Sequence, residues 1–189
     1  MRGKRKCLIV NFMKQIIVLG RGGQGAVTSS QVLAIAAFKD GLHSQAFPNF
    51  GVERMGAPVR SYCRIDNKPV TLREQVYEAD YAIILDQTLA KGFTEKVTDL
   101  IIVNTNKKPE EVGLNTKAKI KCVDITSVAL KVIGKPFVNI AALGAFSAIT
   151  KEVSLKGLEE ALKQQMGEKK AVFEKNLAAI IEVHALAKK

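Results

Sequence analysis

A chain of 189 residues with 47% hydrophobic content can bury one substantial core, and its length falls in the range of a single domain. It has no Trp and only 6% aromatics, and Ala, Val, Ile and Leu are plentiful; helices packed on a buried parallel sheet fit this composition better than a β-sandwich. The net charge is +11, of which Arg2, Lys4, Arg5 and Lys6 supply four, leaving +7; with so few rings for base stacking and no nucleic-acid motif, solvated lysines such as Lys163, Lys169, Lys170 and Lys175 account for it better than a nucleic-acid surface does.

The first twelve residues carry a basic cluster followed by Cys7-Leu8-Ile9-Val10. Asn11 and Lys14 break this apolar run after four residues, short of the roughly 7–15 that a signal peptide needs. Residues 1–12 are expected to be a disordered basic extension, or to reflect the choice of start codon ahead of Met13, with the domain occupying residues 13–189. No apolar run approaches the roughly 20 residues required to span a bilayer. Cys7, Cys63 and Cys122 are odd in number, far apart and without a C-x-x-C pair, which reads as a reducing, cytoplasmic setting. The same spacing excludes a zinc or iron–sulfur site held by this chain alone, and His43 and His184 do not supply the missing ligands.

In chain order, Gln15–Leu19 is a β-branched apolar run that ends in glycines, as a buried parallel strand does. A glycine turn follows, then a helix from Ala26 to Lys39 with Gly41 as its stop. A second strand is expected over Leu42–Phe47. Residues 48–58 hold two prolines and two glycines beside Glu53 and Arg54, and are read as a binding loop. A hairpin should come next, with Arg60–Ile65 as one strand, Asp66–Lys68 as the turn and Pro69–Leu72 as the return. Further strands are expected at Tyr81–Leu85, Leu100–Val103 and around Lys119–Val123, with a short helix between the first two. Helices follow over Thr126–Ile133, ended by Gly134-Lys135-Pro136, then Asn139–Thr150, Leu155–Met166 and Lys169–Ala187. Gly144 should mark a close backbone contact. In the last helix Val172, Phe173, Asn176, Ile180, Val183 and Ala187 form an apolar stripe. The fold class is therefore α/β: a single domain with a mostly parallel sheet flanked by helices, an inserted β-hairpin and a helical C-terminus.

Gly20, Gly22 and Gly25 satisfy G-x-G-x-x-G between a strand and a helix. Glycines there allow close backbone approach, and a helix N-terminus offers N–H groups and positive dipole to an anion. Arg21 adds a cation, and Gln24 a hydrogen-bonding amide. The plainer alternative is a tight strand-to-helix crossover with no ligand. A dinucleotide site also expects an acid at the end of the second strand, where this chain has Phe47-Pro48; Asp40 belongs to the preceding helix end. A Walker A loop is excluded because no Gly-Lys-Ser or Gly-Lys-Thr follows, and hydrolase constellations are absent.

Three blocks in fixed order, Gly20-Arg21-Gly22-Gly23-Gln24-Gly25-Ala26-Val27-Thr28, Gln45-Ala46-Phe47-Pro48 and Phe50-Gly51-Val52-Glu53-Arg54-Met55-Gly56-Ala57-Pro58-Val59, resemble the gamma subunits of pyruvate or 2-oxoisovalerate ferredoxin oxidoreductases. The resemblance runs from about residue 15 to about residue 185. It implies a subunit, inactive alone, of a heteromer that converts a 2-oxoacid, coenzyme A and oxidised ferredoxin into acyl-CoA, carbon dioxide and reduced ferredoxin. It further implies alpha, beta and delta partner subunits, with thiamine diphosphate, Mg and iron–sulfur clusters held by them, and a gamma subunit associated with coenzyme A. On this reading Gly20, Arg21, Gly22, Gly23, Gln24 and Gly25 bind the cofactor or a partner, and Phe50, Glu53 and Arg54 form a partner interface. A contact between two copies of the chain stays open. Within the resemblance, Phe50-Gly51-Val52-Glu53-Arg54 favours pyruvate or a branched-chain oxoacid over 2-oxoglutarate. Two rivals stand beside it: a free-standing nucleotide-dependent oxidoreductase and a basic nucleic-acid-binding protein.

Overall fold

The computed structural model describes residues 13–49 and 55–189. The expected basic extension over residues 1–12 and the interface residues Phe50, Glu53 and Arg54 lie outside the described residues.

Six strands form one sheet: β1 (Lys14–Arg21), β2 (His43–Pro48), β3 (Pro58–Asp66), β4 (Glu78–Ile84), β5 (Lys96–Asn104) and β6 (Lys119–Val123), in the order β2-β3-β1-β4-β5-β6. The helices are α1 (Ala26–Lys39), α2 (Ile125–Ile133), α3 (Val138–Thr150), α4 (Leu155–Met166) and α5 (Lys170–Ala187). Strands β1, β4, β5 and β6 run parallel to one another, whereas β3 is antiparallel to both β1 and β2. This is the α/β domain with a mostly parallel sheet and helical C-terminus that the sequence pattern predicts.

The period-two alternation of the strands splits the core in two. Ile16, Val18, Ile83, Leu85 and Ile102 pack with the helices on one face. Ile17, Leu19, Ala82, Ile84, Ile101 and Val103 pack on the other with Leu89, Ala90, Phe93 and Val112, which come from connecting turns. Strands buried on both faces read as continuous apolar runs, which is why the central three are legible from sequence. Each such Ile or Leu contributes roughly 1.5–3 kcal/mol on burial.

Two expected elements differ. The return strand over Pro69–Leu72 is absent, and β3 pairs instead with β1 (Cys63 opposite Ile16) and β2 (Cys63 opposite Ala46). Residues Ser61 to Ile65 are all buried. A two-stranded hairpin on the surface could not bury them, whereas a position between two strands does. The antiparallel insertion is thus β2–β3. The short helix after β4 is a 3-10 turn, Gln87–Gly92, whose start is capped by Asp86 accepting from the Thr88 N–H at 2.9 Å.

Helix ends follow their sequence signals. Gly41 takes φ +85° after α1, and Gly134 takes φ +81° while its N–H donates to the Leu130 carbonyl, ending α2. Asp40 at the end of α1 accepts from Ser154 N (2.6 Å) and Ser154 Oγ (2.5 Å), so this carboxylate ties α1 to the start of α4, away from the glycine turn. Gly144 sits where α3 meets α5. A Cβ there would collide with the Ile180 carbonyl oxygen and lie 3.2 Å from His184 N, so the expected close approach is a backbone contact between two helices. The stripe of α5 is buried at Asn176, Ile180, Val183 and Ala187, while Val172 is exposed.

Candidate functional site

The glycine turn stands where the sequence places it, between β1 and α1. Gly23 (φ +92°) and Gly25 (φ +79°) occupy the left-handed region, where a Cβ is disfavoured. Gly25 has a second reason to lack a side chain: a Cβ would overlap Asn139 Nδ2 and lie 3.0 Å from its Cγ. The turn is also stitched to the end of the loop that precedes β3, by Gly22 N donating to Ala57 O (2.8 Å) and Gly56 N to Gly22 O (3.2 Å).

Arg21 is not a free cation. Its Nε donates to Asp86 Oδ2 (2.9 Å), Nη1 to Gly56 O (3.0 Å) and Nη2 to Thr88 Oγ1 (2.7 Å). One guanidinium thus joins the ends of β1 and β4 to the loop at Gly56. Gln24 folds back to accept from Arg21 N (2.7 Å) through its side-chain oxygen. Burial disfavours the charged form of Asp86, but the hydrogen bonds from Thr88 and Arg21 together outweigh it and hold the carboxyl below its usual range.

Beside the turn, at the C-terminal ends of the parallel strands, lies a cleft of about 880 Å³. The neighbours of β1 run on to opposite sides of the sheet here, β3 on one side and β4 on the other. Open α/β sheets bind ligands at such switch points. Each parallel strand that borders the cleft ends in a polar residue: Asp86 after β4, Asn104 closing β5, Asp124 after β6. Asn104 donates to Leu85 O (2.9 Å) and accepts from Ile125 N and Thr126 N (both 3.1 Å), so it binds β4 and β5 to the start of α2. Asp124 caps α2 through Ser127 N at 3.0 Å.

Three helices begin at this cleft. Helix α2 is capped by Asp124, but α1 starts at Gly25 and α3 at Phe137 with no side-chain cap. Their first-turn N–H groups and positive dipole ends are the donors an anion or carbonyl needs. The rest of the wall is amide-rich, with Gln24, Gln87, Asn106, Asn139 and Asn176, and apolar where Phe137, Met166 and Val172 form part of it. No Lys or Arg among the described residues lines it, despite the positive charge of the chain.

The structure therefore brings Gly23, Gln24 and Gly25 to the cleft and sets Arg21 behind it as a clamp. Sequence reasoning missed Asp86, Asn104, Asp124 and Asn139. The first three had a signal, a polar residue at the end of each apolar strand; Asn139 had none, because only the packing of α3 against the turn brings it there. Cys63 is fully buried and Cys122 partly so, and burial raises both thiols. Among the described residues no three His, Cys, Asp or Glu side chains form a metal-binding group, and no helix is long and apolar enough to cross a membrane.

A mostly parallel α/β sheet with a glycine turn and a polar cleft at its strand ends is the class of domain this chain forms. The family model for pyruvate ferredoxin/flavodoxin oxidoreductase matches residues 15–186. The chain is 50% identical over 155 residues to pyruvate synthase subunit PorC of Methanosarcina barkeri, covering 80% of this chain and 85% of that protein. It is 47% identical over 163 residues to the pyruvate/ketoisovalerate oxidoreductases common subunit gamma of Pyrococcus furiosus, covering 80% and 88%. The crystal structure of pyruvate oxidoreductase subunit PORC from Thermotoga maritima superposes with a TM-score of 0.81 at 32% identity, over 92% of this chain and 96% of that one. The chain belongs to the pyruvate ferredoxin/flavodoxin oxidoreductase family, as a gamma-type subunit of a 2-oxoacid:ferredoxin oxidoreductase.

Proposed function

We propose that this chain supplies the coenzyme A-handling wall of a heteromeric, thiamine diphosphate-dependent enzyme. The assembly converts a 2-oxoacid, coenzyme A and oxidised ferredoxin into acyl-CoA, carbon dioxide and reduced ferredoxin in the cytoplasm. Pyruvate and 2-oxoisovalerate are the favoured substrates, in keeping with the names of the two relatives. The partners are alpha, beta and delta subunits. Thiamine diphosphate with its Mg, which supplies the carbanion chemistry when bound, and the iron–sulfur clusters belong to those partners, because this chain has three dispersed cysteines and nothing to complete a cluster.

The observation that carries the reading is the cleft, where the uncapped starts of α1 and α3 face one space with an amide-rich wall. Helix N-termini suit a phosphate or carbonyl oxygen, and neutral Asn and Gln amides suit the amide-bearing arm of coenzyme A. Arg21 acts one step back, by fixing Asp86 and Gly56.

The test is the assembled enzyme with Asn139→Ala and Asn106→Ala. The expected result is a KM for coenzyme A raised about tenfold in the double variant, the worth of one or two polar contacts, with the KM for the oxoacid unchanged. Unchanged coenzyme A dependence with normal assembly would refute it.

A further inference from the structure

Strand β2 closes one edge of the sheet and β6 the other. A bare edge offers a row of unpaired N–H and C=O groups to any strand that can meet it, and lysines are a common way of blocking it. On β6, Lys119 and Lys121 stand in a strand of five residues. Strand β2 reads His43-Ser44-Gln45-Ala46-Phe47-Pro48 and has no Lys, Arg, Asp or Glu. The phase of its ladder is set by Asn49, whose N–H donates to Arg60 O at 3.0 Å in continuation of the β2–β3 register. Alternation along an antiparallel pair then turns the backbone groups of His43, Gln45 and Phe47 toward β3 and those of Ser44, Ala46 and Pro48 outward. Among the described residues nothing accepts from the Ser44 or Ala46 N–H. Pro48 has no N–H to offer, so the open ladder ends there.

The helix above this edge extends the same surface. Ser44 Oγ donates to Ala34 O (2.6 Å), which fixes α1 over β2. Gln31 and Phe38 lie one turn to either side of Ala34 and therefore on the same flank of the helix. Both are exposed, Phe38 to 65%. One exposed ring alone needs no explanation, but here it adjoins an open strand edge and forms one continuous face with it. From Gln31 to Phe38 and from His43 to Pro48 that face has no Lys, Arg, Asp or Glu, in a chain of net charge +11.

We infer that this face joins two copies of the chain, β2 to β2 antiparallel, about a two-fold axis at Gln45. Charge selects the occupant: two bodies of net charge +11 repel, and they approach best where neither presents a cation. In this register Ser44 stands opposite Ala46 of the second copy and Ala46 opposite its Ser44. Every outward N–H of the two strands then finds a carbonyl, and the prolines fall outside the ladder. Gln45 faces Gln45 and His43 faces Phe47, so no like charges are opposed, whereas β6 paired about its middle would set Lys121 against itself. The axis is perpendicular to the sheet, which places both copies of α1 side by side on one face and covers Phe38. Such a contact is self-complementary and closes at two copies, giving one continuous sheet.

Sedimentation equilibrium of the purified full-length chain tests the assignment. A monomer–dimer equilibrium is expected, weakened about tenfold or more by Phe38→Glu and by Ala46→Pro. Phe38 is exposed and the Ala46 N–H has no partner within the fold, so circular dichroism should show both variants folded. Cross-linking reads the register. With Cys7 and Cys122 replaced by Ser, Gln45→Cys should form a disulfide with its own copy, because directly opposed residues of a non-hydrogen-bonded pair stand about 4.5 Å apart at Cα. His43→Cys should not, since its own copy lies four residues along the strand, about 13 Å away. A monomer at every concentration, a dimer indifferent to both variants, or cross-linking of His43→Cys in place of Gln45→Cys each overturn the inference. So does a monomer whose Ser44 and Ala46 amides gain hydrogen-exchange protection only on assembly with other subunits, an outcome that gives the edge to a strand of another chain.

Discussion

Gly23 and Gly25 lie two residues apart, share a left-handed backbone and differ in surroundings, so alanine at each separates backbone strain from packing. Holding Ala in the left-handed region costs about 1–2 kcal/mol at either position. At Gly23 nothing lies within 4 Å of the new Cβ, and the cost should end there. At Gly25 the Cβ overlaps Asn139 Nδ2 and crowds Cγ at 3.0 Å, while Asn139 Cβ at 3.4 Å is in ordinary contact. The Asn139 amide must therefore swing away from the turn, adding about 1 kcal/mol for a displaced, half-buried side chain. Urea unfolding of the purified chain reads this directly, since with a slope of about 2 kcal/mol/M the extra term shifts the midpoint by about 0.5 M. In Gly25→Ala/Asn139→Ala the amide is gone and only the 3.4 Å contact remains, so the coupling in a double-mutant cycle should recover that 0.5 M. Equal midpoints for Gly23→Ala and Gly25→Ala, or a cycle with no coupling, would show that Gly25 does not serve the approach of α3. The assembled enzyme gives an independent readout, because displacing Asn139 should raise the KM for coenzyme A in Gly25→Ala but not in Gly23→Ala.

Gly144→Ala should be the more damaging glycine replacement, by about 2–3 kcal/mol or more, because the obstacle is the Ile180 backbone carbonyl and α5 must move bodily; calorimetry of the purified chain measures it. Arg21→Ala should cost about 1–2 kcal/mol, discounted for an Arg 38% exposed, and Arg21→Lys should recover only part of it, since one ammonium cannot reach Asp86, Thr88 and Gly56 O together. Asp86 has a folded-state pKa below its unfolded value. Its stabilisation is complete above the ordinary Asp value of about 3.9 and is lost as pH falls through the lower folded one, so Asp86→Asn should be less stable at pH 7 and show a flatter acid limb. Thiol labelling should distinguish Cys63 from Cys122: burial raises both of these thiols, but Cys63 is fully enclosed and should react only on unfolding, whereas Cys122 should react slowly in the native chain.

The elements legible in the sequence are those whose burial is symmetrical or whose ends are chemically marked. Strands β1, β4 and β5 contain unbroken apolar runs because both faces of the sheet are covered. The ends of α1 and α2 are fixed by Gly41 and Gly134, and the glycine turn by its spacing. Strand β3 misleads because Arg60, Arg64 and Asp66 give it the look of a surface hairpin. Its true place depends on Gln15 and Gln45, each remote in sequence, which accept from Arg64 on either side. Local periodicity carries no information about such a partner.

The sequence by itself determined the α/β class, the position of the glycine turn and the membership suggested by three ordered blocks, because these rest on spacing along one chain. Only the tertiary structure decided how the turn is held and what surrounds it. It brought Asp86 to Arg21 across 65 residues, so that this guanidinium clamps the ends of β1 and β4. It also set Asn104, Asn139 and the starts of α1 and α3 around one cleft, where the cation expected from the sequence is replaced by backbone dipoles and neutral amides. Charge can be counted along a chain, but which charges neutralise one another depends on the packing.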